Sequence, residues 1–429
     1  MIKKEQLIKP FFALFSRGIG LVLQFAMNIV LGRLLGAAGM GLYSLYTSWM
    51  MVLASIADMG MPNYALRTVS VLEGKGDKKQ ARRFTLRALF LLSISGVALV
   101  LIVTLFAEQA SQILIPDTDA EMVLILAALA AVAFMLIRVL SESLKGIRQV
   151  NLALTLETAL LPLGVLIVVG IMHVFNWDLK AQNFLVLHLV LLVVTTLMML
   201  WMMMRFTRVS KASEAEQPEL LSKSLFPFWG GGLLNMWFMN MPILLLPQFA
   251  TAEDIGIFGV AYRLIALGTT ILVTLASIFG PKFARAFANH DVAALRKGLR
   301  QSQLLSLLIY LPIFIALTFF AEPVLGLFGD EFIAGKEILW IMVAGQLINT
   351  ATGLVGFLLN MMHKEKQEFY IQSGVTFLVF ILILILGYSF SSIGVAIAYA
   401  IGIVVKNLTS LFFSLHYLKL MEKEEVPAI

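Results

Sequence analysis

Two polar runs stand out in a very apolar chain. Arg17, Gln24 and Asn28 are seven and four residues apart, and Arg263, Thr270 and Thr274 repeat that spacing. At 100° per residue each trio lies within about 40° of one helix face. Ionisable and polar side chains inside a bilayer are costly and usually face the bundle interior or a water-filled cavity, so each trio reads as a cavity-lining stripe. Asn240 lines up with Asn28 in the internal repeat described below and joins the same candidate substrate set. Ser44, Ser48 and Ser55 form another stripe, with Asp58 further round. Asp58 and Glu157 lie inside apolar runs, and Glu142 ends one beside Arg138, Ser141 and Lys145. Carboxylates so placed could bind a coupling H+ or Na+.

Each group also has a plain reading. Ser and Thr in apolar helices often bond back to the i−4 carbonyl. Arg17 could snorkel to headgroups, Arg33 anchors the outer interface, Glu142 could merely pair with Arg138, and Lys406 is expected to be buried and paired or snorkelling. His173 and His188 have no metal-ligand spacing and read as interfacial. The chain has no Cys, no P-loop, no HExxH motif and no nucleophile–base set. No enzyme activity, metal site or cofactor is expected.

The elements carrying these residues follow from composition. The 429 residues are 60 % hydrophobic and only 14 % charged, where a soluble domain carries about 25 % charged residues. Mean hydropathy is +0.91. Lipid must solvate most of this surface, which excludes a soluble enzyme and a secreted scaffold. A β-barrel is excluded because its apolar runs are short and alternating. The net charge of +6 reads as cytoplasmic loops rather than nucleic-acid binding. The first residues run into an apolar stretch with no small-residue cleavage site, so a retained first span is expected.

Twelve spans are predicted: 11–35, 41–65, 84–107, 121–145, 152–174, 183–205, 225–249, 256–279, 302–321, 337–360, 369–388 and 393–415. Basic residues cluster in the connections after the even-numbered spans. Lys180 and Lys336 alone fall on the other side and Arg17, Arg33, Arg263 and Lys406 within spans, so 26 of the 32 Lys and Arg share one side with both termini. That side is predicted to be the cytoplasm.

An internal repeat organises the spans. Phe106-Ala-Glu108 matches Phe320-Ala-Glu322, and Asp77…Arg82-Arg83 matches Asp291…Arg296-Lys297, both at an offset of 214. Gly41-Leu-Tyr43 matches Gly256-Ile-Phe258 at 215, and Met27-Asn28 matches Met239-Asn240 at 212. The expected fold is therefore an all-α integral membrane protein with about 12 transmembrane helices. These form two six-helix bundles related by a parallel pseudo-two-fold repeat. The expected halves are residues 1–205 and 225–429, joined by a cytoplasmic linker at 206–224. The stripes on spans 1, 2 and 8 are expected to line one wet cavity between them. Span 7, with Pro227, Gly230 to Gly232, Pro242 and Pro247, is expected to bend.

Several segments resemble one family. Leu35-Gly-Ala-Ala-Gly-Met-Gly-Leu-Tyr43, Gly60-Met-Pro-Asn-Tyr-Ala-Leu-Arg67, the basic loop Gly76 to Arg83, and Lys145-Gly-Ile-Arg148 with its partner around His363-Lys364 are similar to the multidrug/oligosaccharidyl-lipid/polysaccharide flippase superfamily. Length and span number look most like its polysaccharide (O-antigen-type) flippases. The resemblance implies a flippase in the bacterial cytoplasmic membrane. Its substrate would be an undecaprenyl-diphosphate-linked oligosaccharide, and its partners membrane lipids and polysaccharide polymerase machinery. It also implies a cationic cavity, carried most plausibly by Arg17 and Arg263 and less surely by Arg67. Two alternatives stand beside it: an ion-coupled multidrug cation antiporter of the same superfamily, and a non-transporting membrane assembly protein.

Overall fold

The computed structural model describes the backbone of residues 4–114, 120–175, 180–208 and 225–423. Side chains are described for 18–111, 120–172, 174–175, 180–208 and 229–423. All regular structure among these residues is helical. In chain order the α-helices are α1 Lys4–Ala57, α2 Met61–Gly74, α3 Lys78–Leu114, α4 Ala120–Gly146, α5 Val150–Thr158, α6 Leu160–Val174 and α7 Ala181–Phe206. There follow α8 Leu225–Leu245, α9 Ala252–Ala288, α10 Val292–Phe319, α11 Ala321–Gly326, α12 Lys336–Thr352, α13 Val355–Met361 and α14 Glu365–Glu422.

Nine helical segments among the described residues are long and apolar enough to cross a membrane. Three of them hold a residue in the left-handed backbone region: Gly36 in α1 (φ 67°), Gly353 between α12 and α13 (φ 68°) and Ser391 in α14 (φ 51°). Run straight, α1 and α14 would be about 80–90 Å long at 1.5 Å per residue, against a hydrocarbon core of about 30 Å. In α14 the chain turns back on itself. A Cβ on Gly394 would collide with the backbone at Leu386 and Gly387, which only antiparallel arms bring together. The Ser391 hydroxyl donates to the Phe249 carbonyl at 2.9 Å and ties the bend down. Dividing α1 and α14 at Gly36 and Ser391 and adding α8 gives the twelve spans.

The chain falls into two compact units, Met1–Gln248 and Phe249–Ile429. In the first, α4 is the hub, packed by α1, α2, α3, α5 and α7. Its Ala127, Ala128, Ala130, Ala131 and Ala133 are buried, and small side chains let neighbouring backbones approach closely. In the second, α12 is the hub, packed by α9, α10 and α14. A Cβ on Gly345 would lie 3.1 Å from Ala400, so α12 and α14 nearly touch. By packing, α8 lies against α1 and α2 in the first unit, whereas the repeat pairs it with span 1.

The repeat is visible in backbone detail. Gly76 (φ 77°) and His290 (φ 52°) are both left-handed. Each precedes an Asp that caps the next helix: Gln80 N donates to Asp77 at 3.0 Å, and Ala294 N to Asp291 at 2.8 Å. Arg148 (φ 64°) and His363 (φ 56°) make a second matched pair of turns. The repeat fails at one end. Phe106-Ala-Glu108 stays within α3, while Phe320-Ala-Glu322 breaks α10 from α11. The outer face of α3 carries Phe90, Ile94, Val97, Leu101 and Leu105, all more than half exposed, as a lipid-facing stripe must be.

Candidate functional site

Asp58 sits where α1 stops. Met59 (φ 50°) and Gly60 (φ 75°) are both left-handed, so the helical ladder ends and its last carbonyls lose partners. Within a membrane those carbonyls must be satisfied by protein. The Ser95 hydroxyl donates to Ala57 O at 2.9 Å, and the Trp229 indole donates to Ser55 O and Ile56 O at 3.0 and 3.2 Å. Asp58 Oδ1 accepts from Gly60 N at 2.9 Å, while Oδ2 takes Arg138 of α4 at 2.6 Å. The carboxylate therefore fixes the break and joins it to the hub helix.

Two turns further along α4, Lys145 bridges Glu142 at 2.8 Å and Glu157 of α5 at 3.0 Å. Ser141 also donates to Glu157 at 2.6 Å. The partner of Glu142 is therefore Lys145, and Arg138 belongs to Asp58. Arg138, Ser141, Glu142 and Lys145 lie along α4 at i, i+3, i+4 and i+7, so one strip of the hub holds all three candidate coupling acids.

The second unit has a charged group that sequence reasoning passed over. Glu368, in the first turn of α14, accepts from Ser410 at 2.8 Å and interacts electrostatically with Lys406. The expectation that Lys406 is paired fits this neighbour. Glu368 was missed because it stands one residue outside the predicted span, beside the basic loop.

The candidate substrate residues are placed as follows. Arg17 lies outside the described side chains. Asn28 on α1 and Asn240 on α8 are buried, and each amide donates to its i−4 carbonyl (Gln24 O and Met236 O) at 2.8 Å. Asn28 Oδ1 is left buried without a partner. Gln24 is exposed. On α9, Arg263 and Thr270 are half-buried, and Thr270 donates to Ala266 O at 3.1 Å. Ser44 and Ser55 are buried and bonded to their own helix. His188 is not interfacial as expected. It is buried against Tyr43 and Phe184, with Nδ1 3.2 Å from the Tyr46 hydroxyl. Its apolar neighbours on α7 concealed which way it faces. Among the described residues no His, Cys, Asp or Glu cluster could hold a metal.

The all-helical, multi-pass fold is similar to that of several solved structures. The chain has a TM-score of 0.72 to the lipid II flippase MurJ in an inward closed conformation, covering 99 % of this chain and 94 % of that one at 15 % identity. It has a TM-score of 0.71 to a multidrug resistance MATE family transporter of the MOP superfamily, inward-facing, covering 97 % and 100 % at 15 % identity. A MOP superfamily transporter from Pyrococcus furiosus with a binding pocket of reversed polarity gives 0.67, covering 96 % of each chain at 15 % identity. Residues 9–287 match the family described as polysaccharide biosynthesis protein, and the chain belongs to that family. It is also similar to the probable low-salt glycan biosynthesis flippase Agl15 of Haloferax volcanii. The two are 23 % identical over 395 residues, covering 91 % of this chain and 79 % of the relative.

Proposed function

We propose that this protein is a flippase for an undecaprenyl-diphosphate-linked oligosaccharide repeat unit. It works by alternating access through a cationic cavity in the bacterial cytoplasmic membrane, with both termini in the cytoplasm. Family membership supports a role in polysaccharide biosynthesis. The activity is carried over from the probable glycan biosynthesis flippase of Haloferax and from MurJ. In this reading Arg17 and Arg263 hold the diphosphate, while Gln24, Asn28, Asn240 and Thr270 solvate sugars. The buried, unused Oδ1 of Asn28 is an acceptor for a sugar hydroxyl.

One observation favours this over a cation antiporter. Asp58, Glu142, Glu157 and Glu368 each face a cation of their own unit. A cationic drug would have to displace Arg138, Lys145 or Lys406 to reach any of these four carboxylates. If the cycle is driven by H+ or Na+, Asp58 is the first candidate to exchange its partner, then Glu157 and Glu142. Polymerase machinery is the expected acceptor of the flipped unit.

Proteoliposomes containing a lipid-linked oligosaccharide test the reading, with an added glycosidase reporting the exposed fraction. Arg17→Ala and Arg263→Ala should each slow exposure at least tenfold at normal protein level. Lys at either position should restore little, because a point charge lacks the planar fork. Unchanged flipping in the double Ala variant would remove both arginines from the site, and uptake of a cationic dye by a wild type that flips no glycan would replace flippase with antiporter.

A further inference from the structure

The lipid-facing flank of the first unit carries a site unrelated to these acids. At the basic ends of α3 and α7, Arg82, Trp201, Met204, Arg205 and Arg208 line a cavity of about 300 Å³. The Arg205 guanidinium lies 5.4 Å from the centre of the Trp201 ring. Arg82 Nη2 donates to the Met204 sulfur at 3.8 Å, a weak acceptor for a full charge. Among the described residues no carboxylate is paired with any of the three arginines.

The repeat supplies an internal comparison. At the offset of 214 Arg82 corresponds to Arg296, and each lies beside the C-terminal end of a long helix, α7 with Arg205 in its last turn and Arg208 just beyond it, and α14 with Glu422. In the second unit Arg296 donates to Glu422 at 2.9 Å. The first unit has kept the Arg, and at the helix end that bears the carboxylate in the second unit it carries further cations. Three guanidinium groups round one cavity repel each other unless an anion is brought to them.

A second cavity lies along the same two helices, toward the middle of the membrane. Gly96, Val97 and Leu101 of α3, Val132 of α4, and Val193 and Leu197 of α7 line an apolar groove of about 550 Å³. Both α3 and α7 pack on α4, which forms its floor. Leu197 is two turns from Arg205, about 12 Å along α7. A cationic pocket at the interface followed by an apolar groove has the shape of one lipid molecule. We propose that this is a binding site for an anionic glycerophospholipid of the cytoplasmic leaflet. Arg82, Arg205 and Arg208 hold its phosphate, Trp201 sits at headgroup level, and an acyl chain occupies the groove. The groove opens sideways on the lipid-facing stripe of α3, where bulk phospholipid has direct access.

Native mass spectrometry of the full chain in detergent tests this with three probes: dioleoylphosphatidylglycerol, dioleoylphosphatidylcholine and undecaprenyl diphosphate. The wild type should bind phosphatidylglycerol at least tenfold more tightly than phosphatidylcholine. The triple variant Arg82→Gln, Arg205→Gln, Arg208→Gln should lose that preference, and Arg296→Gln should keep it. Arg208→Glu puts a carboxylate at this helix end, as in the second unit, so it should fold normally and also lose the preference. That variant decides the matter alone if the triple variant fails to fold. Equal binding of the two phospholipids by wild type, or an unchanged preference in Arg208→Glu, overturns the site. Undecaprenyl diphosphate displacing phosphatidylglycerol at equimolar concentration, from wild type but not from Arg208→Glu, overturns the phospholipid assignment in favour of the diphosphate lipid.

Discussion

Replacing Asp58 by Ala should unfold the first unit more readily than any surface change. The carboxylate side chain is 5 % exposed and Arg138 is 23 % exposed. Removing one partner of a buried ion pair costs about 3–5 kcal/mol, and the Gly60 N–H, left without its acceptor, adds about 1–3 kcal/mol. Because Arg138 retains some access to solvent, its stranded charge is partly screened, and a total near the lower end, about 4 kcal/mol, is expected. Asp58→Asn keeps the acceptor for Gly60 but turns an NH2 donor toward Arg138, losing the charge and that hydrogen bond, so it should cost about 3 kcal/mol, less than Ala. Arg138→Met alone strands the carboxylate. Combined with Asp58→Asn it should restore about 1–3 kcal/mol relative to the sum of the single changes. Equilibrium unfolding in mixed dodecyl maltoside/SDS micelles, followed by tryptophan fluorescence, measures all four proteins. A loss under 1 kcal/mol for Asp58→Ala, or strict additivity in the cycle, would refute the view that this pair fastens the break to the hub.

Other outcomes can be checked directly. A reporter active only in the cytoplasm should work after Lys79, Ser213 or Lys297 and be silent after Asp119 or Asp254; activity at either outer site would refute the span assignment. Gly36→Val places a β-branched side chain at φ 67° and should cost about 1–3 kcal/mol, read as a lowered midpoint in the same micelle titration. Gly345→Leu should force α12 from α14, where a Cβ already lies 3.1 Å from Ala400, and should cost at least about 1–3 kcal/mol by overpacking.

The spans were legible because lipid imposes a length and an apolar composition that any helix must meet. The repeat was legible for a similar reason: Asp77 and Asp291 cap helices, and capping is a local rule written in residue type. What escaped was pairing. Asp58 and Arg138 are 80 residues apart, and only the left-handed break at Met59 and Gly60 aims the carboxylate at α4. Glu142 has Arg138 and Lys145 at one turn on either side, so spacing alone could not choose between them. Trp229 gave no signal, since its indole answers carbonyls freed by a break that hydropathy does not reveal. The lipid-shaped groove escaped because its arginines read as ordinary loop charge until the repeat set the end of α7 against that of α14.

The one-residue bend at Ser391 has a bearing on how the protein is made. A single residue reaches about 3.5 Å, so the arms of α14 cannot rest on opposite sides of a bilayer while one waits for the other. They must enter as a preformed helical pair, carrying only a serine and a few backbone groups across the hydrocarbon. The last two spans can only succeed or fail together during synthesis.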